Sequence, residues 1–366
     1  MRICLFTPNF LPAVGGTEQV TAALAGQFFA KGHFTAVLAL GKRGQKLGLP
    51  YPVSWYTKPL LPRVWPERIG RALRKLHAQH RFDVFVANYG CPTGYAAIRL
   101  GRRVGVPTVV ISHGGDLYKT SRDRRRPHTW KRTLYAYRHA EGLVAISPYI
   151  ESLIRRINPS PRRLVSIPNG IDVADLNDPA PRPDDFPPEH PFCLCLGNLG
   201  PLKGFGDALA AYAQVRAELG DMQLVVVGSG KEEAALRHQT REAGLNGDVH
   251  FMGQRTGPDK RWFLQHCHFG LMPSIEEGHP LVALEFLAAG KPLICSTNAS
   301  FDGVVDDGIN GLRVRASDPE ALAAAMRRMA ASNLTALGAA SRRRADEYDW
   351  TLIADKYLQF FESLRS

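Results

Sequence analysis

The chain has 366 residues, too many for one small core and suited to two domains of roughly 150 to 200 residues each. Hydrophobic residues make up 45% and charged residues 22%, a composition that excludes a disordered chain and is ordinary for a folded enzyme. The 46 lysines and arginines exceed the 34 aspartates and glutamates, and the net charge of +12 favours phosphorylated ligands, anionic lipid or nucleic acid as partners.

Targeting signals and cysteine spacing bear on where the chain works. No run reaches about 18 apolar residues, and the start of the chain has early proline and glycine instead of a long apolar region. We therefore expect neither a membrane-spanning helix nor a signal peptide. The six cysteines lack the regular spacing of a disulfide framework, which favours a reducing, cytoplasmic location.

Short apolar runs alternate with longer amphipathic segments along the whole chain. The first half contains ICLF, TAVLAL, VFVA, TVVIS, LVAIS and LVSIP, and the second half contains FCLCLG, QLVVVG, VHFMG, FGLMP and PLICS. Continuous aliphatic runs of this kind are typical of parallel strands covered by helices on both faces. The sequence therefore predicts an α/β protein with two doubly wound sheets.

A segment rich in proline and aspartate, residues 176–191, lies between the two halves. Because neither a helix nor a strand persists in such a composition, we interpret it as a linker between domains at residues 1–175 and 192–349. Near the end, apolar residues recur at helical spacing from Trp350 to Phe361. This spacing predicts a terminal helix over 350–366 with one buried stripe.

The first candidate ligand-binding loop follows the first strand and contains Val14, Gly15, Gly16, Thr17 and Glu18. Paired glycines let the backbone approach a ligand closely, and the next helix presents free N–H groups to an anion. This pattern favours a phosphate-binding loop. The alternative is a tight turn in which Glu18 merely complements the helix dipole.

A second candidate loop follows the strand TVVIS and begins with His113. Open α/β sheets bind ligands at the carboxyl ends of their strands, so His113 is better placed for binding than the other histidines. The alternative is a histidine that only hydrogen-bonds loop backbone.

In the second half, residues 197–205 (GNLGPLKGF) indicate a glycine-rich turn between a strand and a helix, with Lys203 at its end. A lysine beside a helix N-terminus stabilises phosphate charge, and a departing diphosphate is the leaving group that such charge assists. The alternative is an ordinary surface lysine in a loop.

Two glutamates bracket residues 277–285 (EGHPLVALE). Pro280 suits the first turn of a helix, and Gly290 supplies its end signal. Glu277 then precedes the helix and Glu285 lies a little over two turns later, so the two carboxylates can flank one ligand. We expect them to accept hydrogen bonds from sugar and ribose hydroxyls.

Together these segments resemble the retaining, nucleotide-sugar-dependent glycosyltransferases of family four, and the resemblance covers almost the whole chain. Its most specific parts are SIEEGHPLVALEFLAAGKPLICS, PNGID, GNLGPLKGF and DGVVDDGINGLRV. The family implies the GT-B architecture, two Rossmann-like doubly wound parallel-sheet domains facing across a cleft. It also implies that the terminal helix packs back on the first domain.

The resemblance implies roles for single residues. Glu277 would hold hydroxyls of the donor sugar and Glu285 the ribose, while Lys203 would meet the diphosphate. His113 would contact the sugar near the reacting carbon, which makes His113, Lys203 and Glu277 the expected catalytic residues. The other expected donor-binding residues are Gly15, Gly16, Asn198, Gly253, Arg255, Gly278, His279, Pro280, Leu281 and Val282.

At Asn198 the chain departs from the family's phosphate turn, which usually carries an arginine there. Half of the cationic clamp is therefore missing. We expect another cation, Arg255, to supply the charge, and the alternatives are weaker donor binding or lost activity. His279 also stands where an aromatic residue is common, which alters sugar selection.

The activity implied is hexosyl transfer with retained anomeric configuration, from a UDP-sugar or next a GDP-sugar, to a glycan, lipid-linked or small-molecule acceptor in polysaccharide biosynthesis. No metal or other cofactor is required, in keeping with the lack of a suitable D-x-D motif. Two alternatives stay open. One is a sugar-nucleotide epimerase of the same fold, and the other is a non-catalytic basic binding protein with a degenerate donor site.

Basic residues cluster twice in the first domain, over residues 65–76 and from Arg122 to Arg132. Ile69, Leu73 and Leu76 recur at helical spacing among the basic residues of the first cluster, which suggests an interfacial helix on an anionic membrane. The alternative is a core helix with a solvated basic side. Nucleic acid is not expected, because interleaved aromatic residues are sparse.

Overall fold

The structure is a computed structural model that describes residues 1–13, 15–41, 45, 47–57, 65–121, 123–186 and 190–365. Val14, Arg122 and residues 187–189 of the predicted linker therefore lie outside the described residues. The chain forms two compact units, Met1–Asn169 with Trp350–Ser366, and Gly170–Asp349. The boundary thus falls six residues earlier than the end of the first domain expected at residue 175.

The first unit is built on a seven-stranded parallel sheet with the order β3-β2-β1-β4-β5-β6-β7. Its strands are β1 (Arg2–Thr7), β2 (Phe34–Leu40), β3 (Val53–Tyr56), β4 (Val84–Asn88), β5 (Thr108–Ser112), β6 (Gly142–Ala145) and β7 (Leu164–Ser166). The helices between them are α1 (Gly16–Ala30), α2 (Trp65–His80), α3 (Tyr95–Val104), α4 (Pro127–His139) and α5 (Pro148–Ile157).

The order of this sheet places the candidate loops. Every residue of β4 and β5 is buried, as expected for central strands with helices on both faces. Successive strands are added on one side of β1 up to β3 and on its other side from β4 onward, so the strand order reverses between β1 and β4. α/β sheets bind ligands at the carboxyl ends of the strands beside such a switch point. The α1 N-terminus follows β1 there, and His113 follows β5.

The second unit has a six-stranded parallel sheet with the order β10-β9-β8-β11-β12-β13. Its strands are β8 (Phe192–Leu196), β9 (Gln223–Val227), β10 (Val249–Phe251), β11 (Phe269–Met272), β12 (Leu293–Ser296) and β13 (Gly311–Val314). Its helices are α6 (Val173–Asn177), α7 (Phe205–Val215), α8 (Glu233–Glu242), α9 (Gly257–His266), α10 (Leu281–Ala288), α11 (Pro319–Ala330) and α12 (Leu334–Asp346). The switch point of this sheet lies between β8 and β11.

The last helix, α13 (Trp350–Ser363), is part of the first unit and packs against α1. The stripe that its spacing predicts is buried from Trp350 to Phe361. The Phe28 ring of α1 lies 6.3 Å from the Tyr357 ring and 5.7 Å from the Phe361 ring, centroid to centroid. Edge-to-face aromatic contacts of this kind add to the stabilisation from burial.

The segment predicted as a linker, 176–191, is in its described part packed on the second unit and does not stand free. Leu176 and Phe186 are buried in that unit's core. Arg261 of α9 holds the segment through Asp178, with Nη2 and Oδ2 3.0 Å apart. The proline-rich composition correctly indicates irregular backbone after α6, but it does not reveal that isolated apolar side chains reach a core.

Helix α2 is a core helix with a solvated basic side, so the prediction of an interfacial helix is wrong. Ile69, Leu73 and Leu76 are buried in the first unit, while Arg71 and Arg74 are exposed. The apolar stripe is therefore not available to a bilayer. Within the described ranges, no helix combines the length and apolar character needed to cross a membrane.

Candidate active site

Lys203 stands in the turn from β8 to α7, and Gly204 sets the shape of that turn. Gly204 has a φ of +70°, and a Cβ there would overlap the carbonyl oxygen of Pro273. Only glycine combines this backbone conformation with so close an approach. The turn therefore lies against the residue that follows β11, and Lys203 is held beside the switch point.

Lys203 and Glu277 form one charged centre at the carboxyl ends of β8 and β11. Lys203 Nζ lies 2.5 Å from Glu277 Oε1, and Ser274 Oγ donates to the same oxygen at 3.0 Å. Ser300 Oγ donates to the main-chain carbonyl of Glu277. The Glu277 side chain is only 9% exposed, so it needs this cation, because an unpaired buried carboxylate is costly.

Glu285, on the second turn of α10, is paired on one side only. Lys260 Nζ of α9 lies 2.6 Å from Glu285 Oε1. The other oxygen, Oε2, is buried and accepts no hydrogen bond from any residue that the structure describes. Since buried polar atoms are nearly always hydrogen-bonded, Oε2 is an open acceptor for a ligand hydroxyl.

The start of α10 completes this part of the site. The helix begins at Leu281 with Pro280 as its N-cap residue, one position before the first-turn place that the sequence predicts for proline. The N–H groups of Leu281 and Val282 are in the first turn and so lack intrahelical acceptors. Gly278 and His279 precede them and are buried, and burial lowers the pKa of His279 to about 4, which leaves its ring neutral at pH 7.

Arg255 is engaged away from the phosphate turn. Its guanidinium contacts the Asp185 carboxylate, lies 3.2 Å from Asp259 Oδ2, and donates to the carbonyl of Met252 at 2.8 Å. Two carboxylates compensate one charge, contrary to the expectation that Arg255 replaces the missing arginine.

The other two residues expected at the donor site lie on neighbouring loops. Asn198 donates from Nδ2 to the carbonyl of Ser229, which follows β9, at 3.3 Å. The carbonyl of Gly253, after β10, accepts from the Gly228 N–H at 2.7 Å. The loops after β8, β9 and β10 are therefore joined side by side, although the ligand-binding roles of these residues stay predictions.

In the first unit, His113 belongs to a hydrogen-bonded chain. Its Nε2 lies 2.9 Å from Asn88 Oδ1, and Asn88 Nδ2 donates to Thr21 Oγ1 at 2.7 Å. Burial lowers the pKa of His113 to about 4, so the ring is neutral at pH 7. The Nε2–H group donates to Asn88, which leaves Nδ1 with its lone pair.

Tyr89 links this chain to the glycine loop. The Tyr89 hydroxyl lies 2.6 Å from Thr17 Oγ1 of α1, and its ring centroid lies 5.3 Å from that of His113. Tyr89 has a φ of 69° and a ψ of 158°, a conformation that residues other than glycine rarely adopt. Such strained residues cluster at functional sites, so the region around His113 is a candidate site.

The glycine loop leads into helix α1, and its acidic residue Glu18 lies close to Gly15. Helix α1 begins at Gly16, and Gly15 is an extended N-cap residue. The Glu18 carboxylate lies over Gly15, in the space that a Cβ would occupy. The positive end of α1 is therefore faced by its own acidic side chain, and phosphate binding at Gly15 and Gly16 stays a prediction.

Sequence reasoning missed several residues of these two sites. Asn88, which holds His113, is a polar residue at the end of a buried strand, and that position was the available signal. No sequence pattern pointed to Lys260, because its ion pair with Glu285 depends on how α9 packs.

Asp116 was also missed. It accepts hydrogen bonds from the Gly90 N–H at 2.7 Å and from the Tyr137 hydroxyl, and burial raises its pKa to about 6.

The described residues hold no group of three or more histidine, cysteine, aspartate or glutamate side chains placed to bind a metal ion. The charge facing the candidate donor site comes from Lys203, Lys260 and helix α10.

Two family models match the chain, Glycosyltransferase Family 4 over residues 14–175 and Glycosyl transferases group 1 over residues 190–332. The phosphatidyl-myo-inositol mannosyltransferase of Mycolicibacterium smegmatis is 28% identical, over 100% of this chain and 94% of that protein. Among solved structures, the sucrose-phosphate synthase of Thermosynechococcus elongatus has a TM-score of 0.80 at 20% identity, covering 100% of this chain and 99% of its own. Anabaena HepE in complex with UDP-glucose has a TM-score of 0.78 at 17% identity, covering 99% of this chain and 100% of its own. The chain therefore has the two Rossmann-like domains of the GT-B fold and belongs to the group 1 glycosyltransferases of family 4.

Proposed function

We propose that the protein transfers a hexosyl group from a UDP-sugar to a glycan, lipid-linked or small-molecule acceptor, with retention of the anomeric configuration. The observation that carries the proposal is the pair of buried carboxylates in the second unit, Glu277 paired with Lys203 and Glu285 with its open Oε2. UDP is preferred because HepE is seen with UDP-glucose, and a GDP-sugar is the next choice.

Each group in the second unit has a distinct task in this proposal. Glu285 Oε2 accepts a ribose hydroxyl while Lys260 holds the other oxygen in place. Lys203 and the first N–H groups of α10 face the diphosphate. Glu277 accepts hydroxyls of the donor sugar. Because Lys203 also neutralises Glu277, it ties the position of the sugar to that of the phosphates.

The reaction proposed is attack on the face from which the diphosphate leaves. The bond between the anomeric carbon and the phosphate oxygen breaks, and a bond to the acceptor oxygen forms on the same face. The acceptor proton passes to the departing phosphate oxygen. His113, neutral and fixed by Asn88, contacts the sugar near the reacting carbon.

Metal independence is part of the proposal. The leaving diphosphate gains charge in the transition state, and Lys203 with the positive end of α10 is arranged to stabilise it. Transfer in the presence of EDTA at the same rate as with added Mg²⁺ supports this part of the proposal, and a rate that requires the metal contradicts it.

Only the positive charge of the first unit still supports a membrane partner, because the apolar stripe of α2 is buried. Juxtamembrane basic residues contribute about 1 kcal/mol each near an anionic surface, so the exposed arginines of α2 are its remaining support. A cytoplasmic location stays a prediction from the sequence. Peripheral binding to the inner face of a membrane is a separate prediction, which co-sedimentation with anionic and neutral vesicles tests.

The test is a screen of UDP-, GDP- and ADP-hexoses with a panel of acceptors, in EDTA, followed by NMR of the products. The proposal predicts a product whose anomeric configuration equals that of the donor. Wild type and the exposed-lysine control Lys356→Ala form it at equal rates, and Lys203→Ala forms it about 10² to 10³ times more slowly. An epimerised donor without acceptor indicates the epimerase instead. Neither binding nor turnover of any donor indicates a degenerate site.

A further inference from the structure

A groove of about 480 Å³ between α2 and α3 is lined by four arginines, Arg71 and Arg74 of α2 with Arg99 and Arg103 of α3. Glu67 is the only carboxylate among the described residues that line it. Small and apolar residues such as Gly70, Ala96 and Leu100 also line the groove. A concave surface with this concentration of positive charge fits an anionic ligand.

Most of this charge is available. Arg71, Arg74 and Arg103 are exposed and form no ion pair within the described ranges, whereas Arg99 donates to the Tyr95 hydroxyl at 3.0 Å. Arginine binds phosphate and carboxylate groups through its planar, forked donors. The groove therefore has at least three guanidinium groups without a carboxylate of their own.

The groove adjoins a second cavity of about 520 Å³ beside the His113 region. Both cavities are lined by Pro66, and Arg132, which lines the second cavity, lies 3.4 Å from Glu67 of the groove. Tyr89 lines the second cavity and touches His113. The arginine groove and the second cavity therefore lie side by side in the first unit, with Pro66 in the lining of both.

We propose that the arginine groove between α2 and α3 binds an acidic carbohydrate, a part of the acceptor that carries phosphate or carboxylate and lies away from the reacting hydroxyl. This inference rests on the proposed transfer reaction. A flat bilayer fits less well, because the site is concave and the apolar face of α2 is in the core. A nucleic acid fits less well, because Tyr95 is the only aromatic residue among the described lining residues.

The experiment compares the double variant Arg71→Gln/Arg103→Gln with Arg156→Gln/Arg162→Gln, which removes two exposed arginines from the same unit outside both cavities. The full-length proteins are titrated calorimetrically with a hexose 6-phosphate, a hexuronic acid disaccharide and a neutral disaccharide. Further arms use vesicles of anionic phospholipid and a single-stranded oligonucleotide. UDP is titrated into every variant as a separate measure of the donor site.

The expected result is that at least one acidic sugar binds more tightly than the neutral one. That affinity falls about fivefold to tenfold in Arg71→Gln/Arg103→Gln and stays unchanged in the control, since two exposed charge pairs with the ligand are lost only in the first variant. The phosphate and carboxylate arms show which oxyanion is preferred. UDP affinity is equal in all variants.

Equal binding of acidic and neutral sugars, or an equal loss in both double variants, overturns the inference. Loss of vesicle or oligonucleotide binding in Arg71→Gln/Arg103→Gln, without an effect on acidic sugars, overturns it in favour of a membrane or a nucleic acid. Absence of UDP binding in wild type is a different outcome, since it removes the proposed function itself.

Discussion

Lys203 and Glu277 are 74 positions apart in the sequence, and their side chains meet at 2.5 Å where β8 and β11 end side by side. The lysine is 31% exposed and the glutamate 9%, so the cation faces outward over a nearly buried anion. A diphosphate that approaches this pair meets a positive charge already held in position. This arrangement is what electrostatic stabilisation of a leaving group requires, because no reorganisation is needed during the reaction.

Replacing Lys203 should remove both leaving-group stabilisation and the partner of Glu277. We expect Lys203→Ala to lower kcat/KM by about 10² to 10³, the range for loss of one preorganised donor to a developing charge. It should also lower the free energy of unfolding by about 2 kcal/mol, because Glu277 loses its cation. Steady-state kinetics and denaturant unfolding measure both effects.

The double variant Lys203→Ala/Glu277→Gln should regain much of that stability, because no buried charge is left unpaired. Lys356→Ala, an exposed lysine of the first unit, serves as the control and should match wild type. Strictly additive losses in the double variant would show that the two residues act independently.

The open oxygen of Glu285 makes a prediction about the nucleotide. Wild type should bind UDP about tenfold more tightly than an analogue without the ribose hydroxyls, because a hydrogen bond to a charged group contributes about 1.5 to 3 kcal/mol. In Glu285→Gln this preference should shrink to about twofold, since the acceptor is weakened and Lys260 loses its partner. Calorimetric titration of the two nucleotides into each protein measures it.

Glu320→Gln, which changes an exposed glutamate of α11, is the matched control for Glu285→Gln. It should keep the full preference for the ribose hydroxyls. The same preference in Glu285→Gln as in wild type would place the ribose elsewhere.

Asn198 is the position where a cation can be added. Its side chain makes one long hydrogen bond, 3.3 Å to the carbonyl of Ser229, so we expect Asn198→Arg to fold normally. The new guanidinium should tighten UDP binding about tenfold, as charge-assisted hydrogen bonds to phosphate are among the strongest in proteins. Arg255→Gln should instead change UDP affinity less than twofold, because Arg255 is occupied by Asp185 and Asp259. A large loss of affinity in Arg255→Gln would restore it as the replacement cation.

Asp116 predicts a dependence of stability on pH. Burial raises its pKa from 3.8 to about 6, so the folded chain holds the proton more tightly than the unfolded chain. This contribution to stability is fully present below pH 3.8 and is lost as the pH rises through 6. Relative to Asp116→Asn, wild type should therefore lose about 2 kcal/mol of unfolding free energy between pH 4 and 7. Denaturant unfolding of both proteins at several pH values between 4 and 7 measures this difference. If the unfolding free energies of the two proteins change equally with pH, the raised pKa of Asp116 is contradicted.

Local patterns were sufficient for most of the fold. The aliphatic runs ICLF and FCLCLG predict β1 and β8 because central parallel strands are buried on both faces, and helical spacing predicts the buried stripe of α13. The glycine turn also places Lys203 correctly between β8 and α7, because Gly204 is needed for the backbone there.

What local patterns do not reveal is pairing over long distances. The link between Lys203 and Glu277 depends on β8 and β11 being neighbours, and the link between Glu285 and Lys260 depends on the packing of α9. The engagement of Arg255 by Asp185 arises in the same way, since Asp185 belongs to the segment interpreted as a linker. An amphipathic pattern such as that of α2 likewise does not say whether its apolar stripe meets a core or a membrane.

The central claim is that the second unit binds a nucleotide diphosphate-sugar at Lys203 and Glu285. Its most direct test is a calorimetric titration of UDP, UDP-glucose, GDP and ADP in EDTA. The proposal predicts saturable binding to one site in wild type, weakened about tenfold or more in Lys203→Ala and about fivefold in Glu285→Gln, and unchanged in Lys356→Ala and Glu320→Gln. Failure of UDP, GDP and ADP to bind wild type, or equal weakening in all four variants, would contradict it.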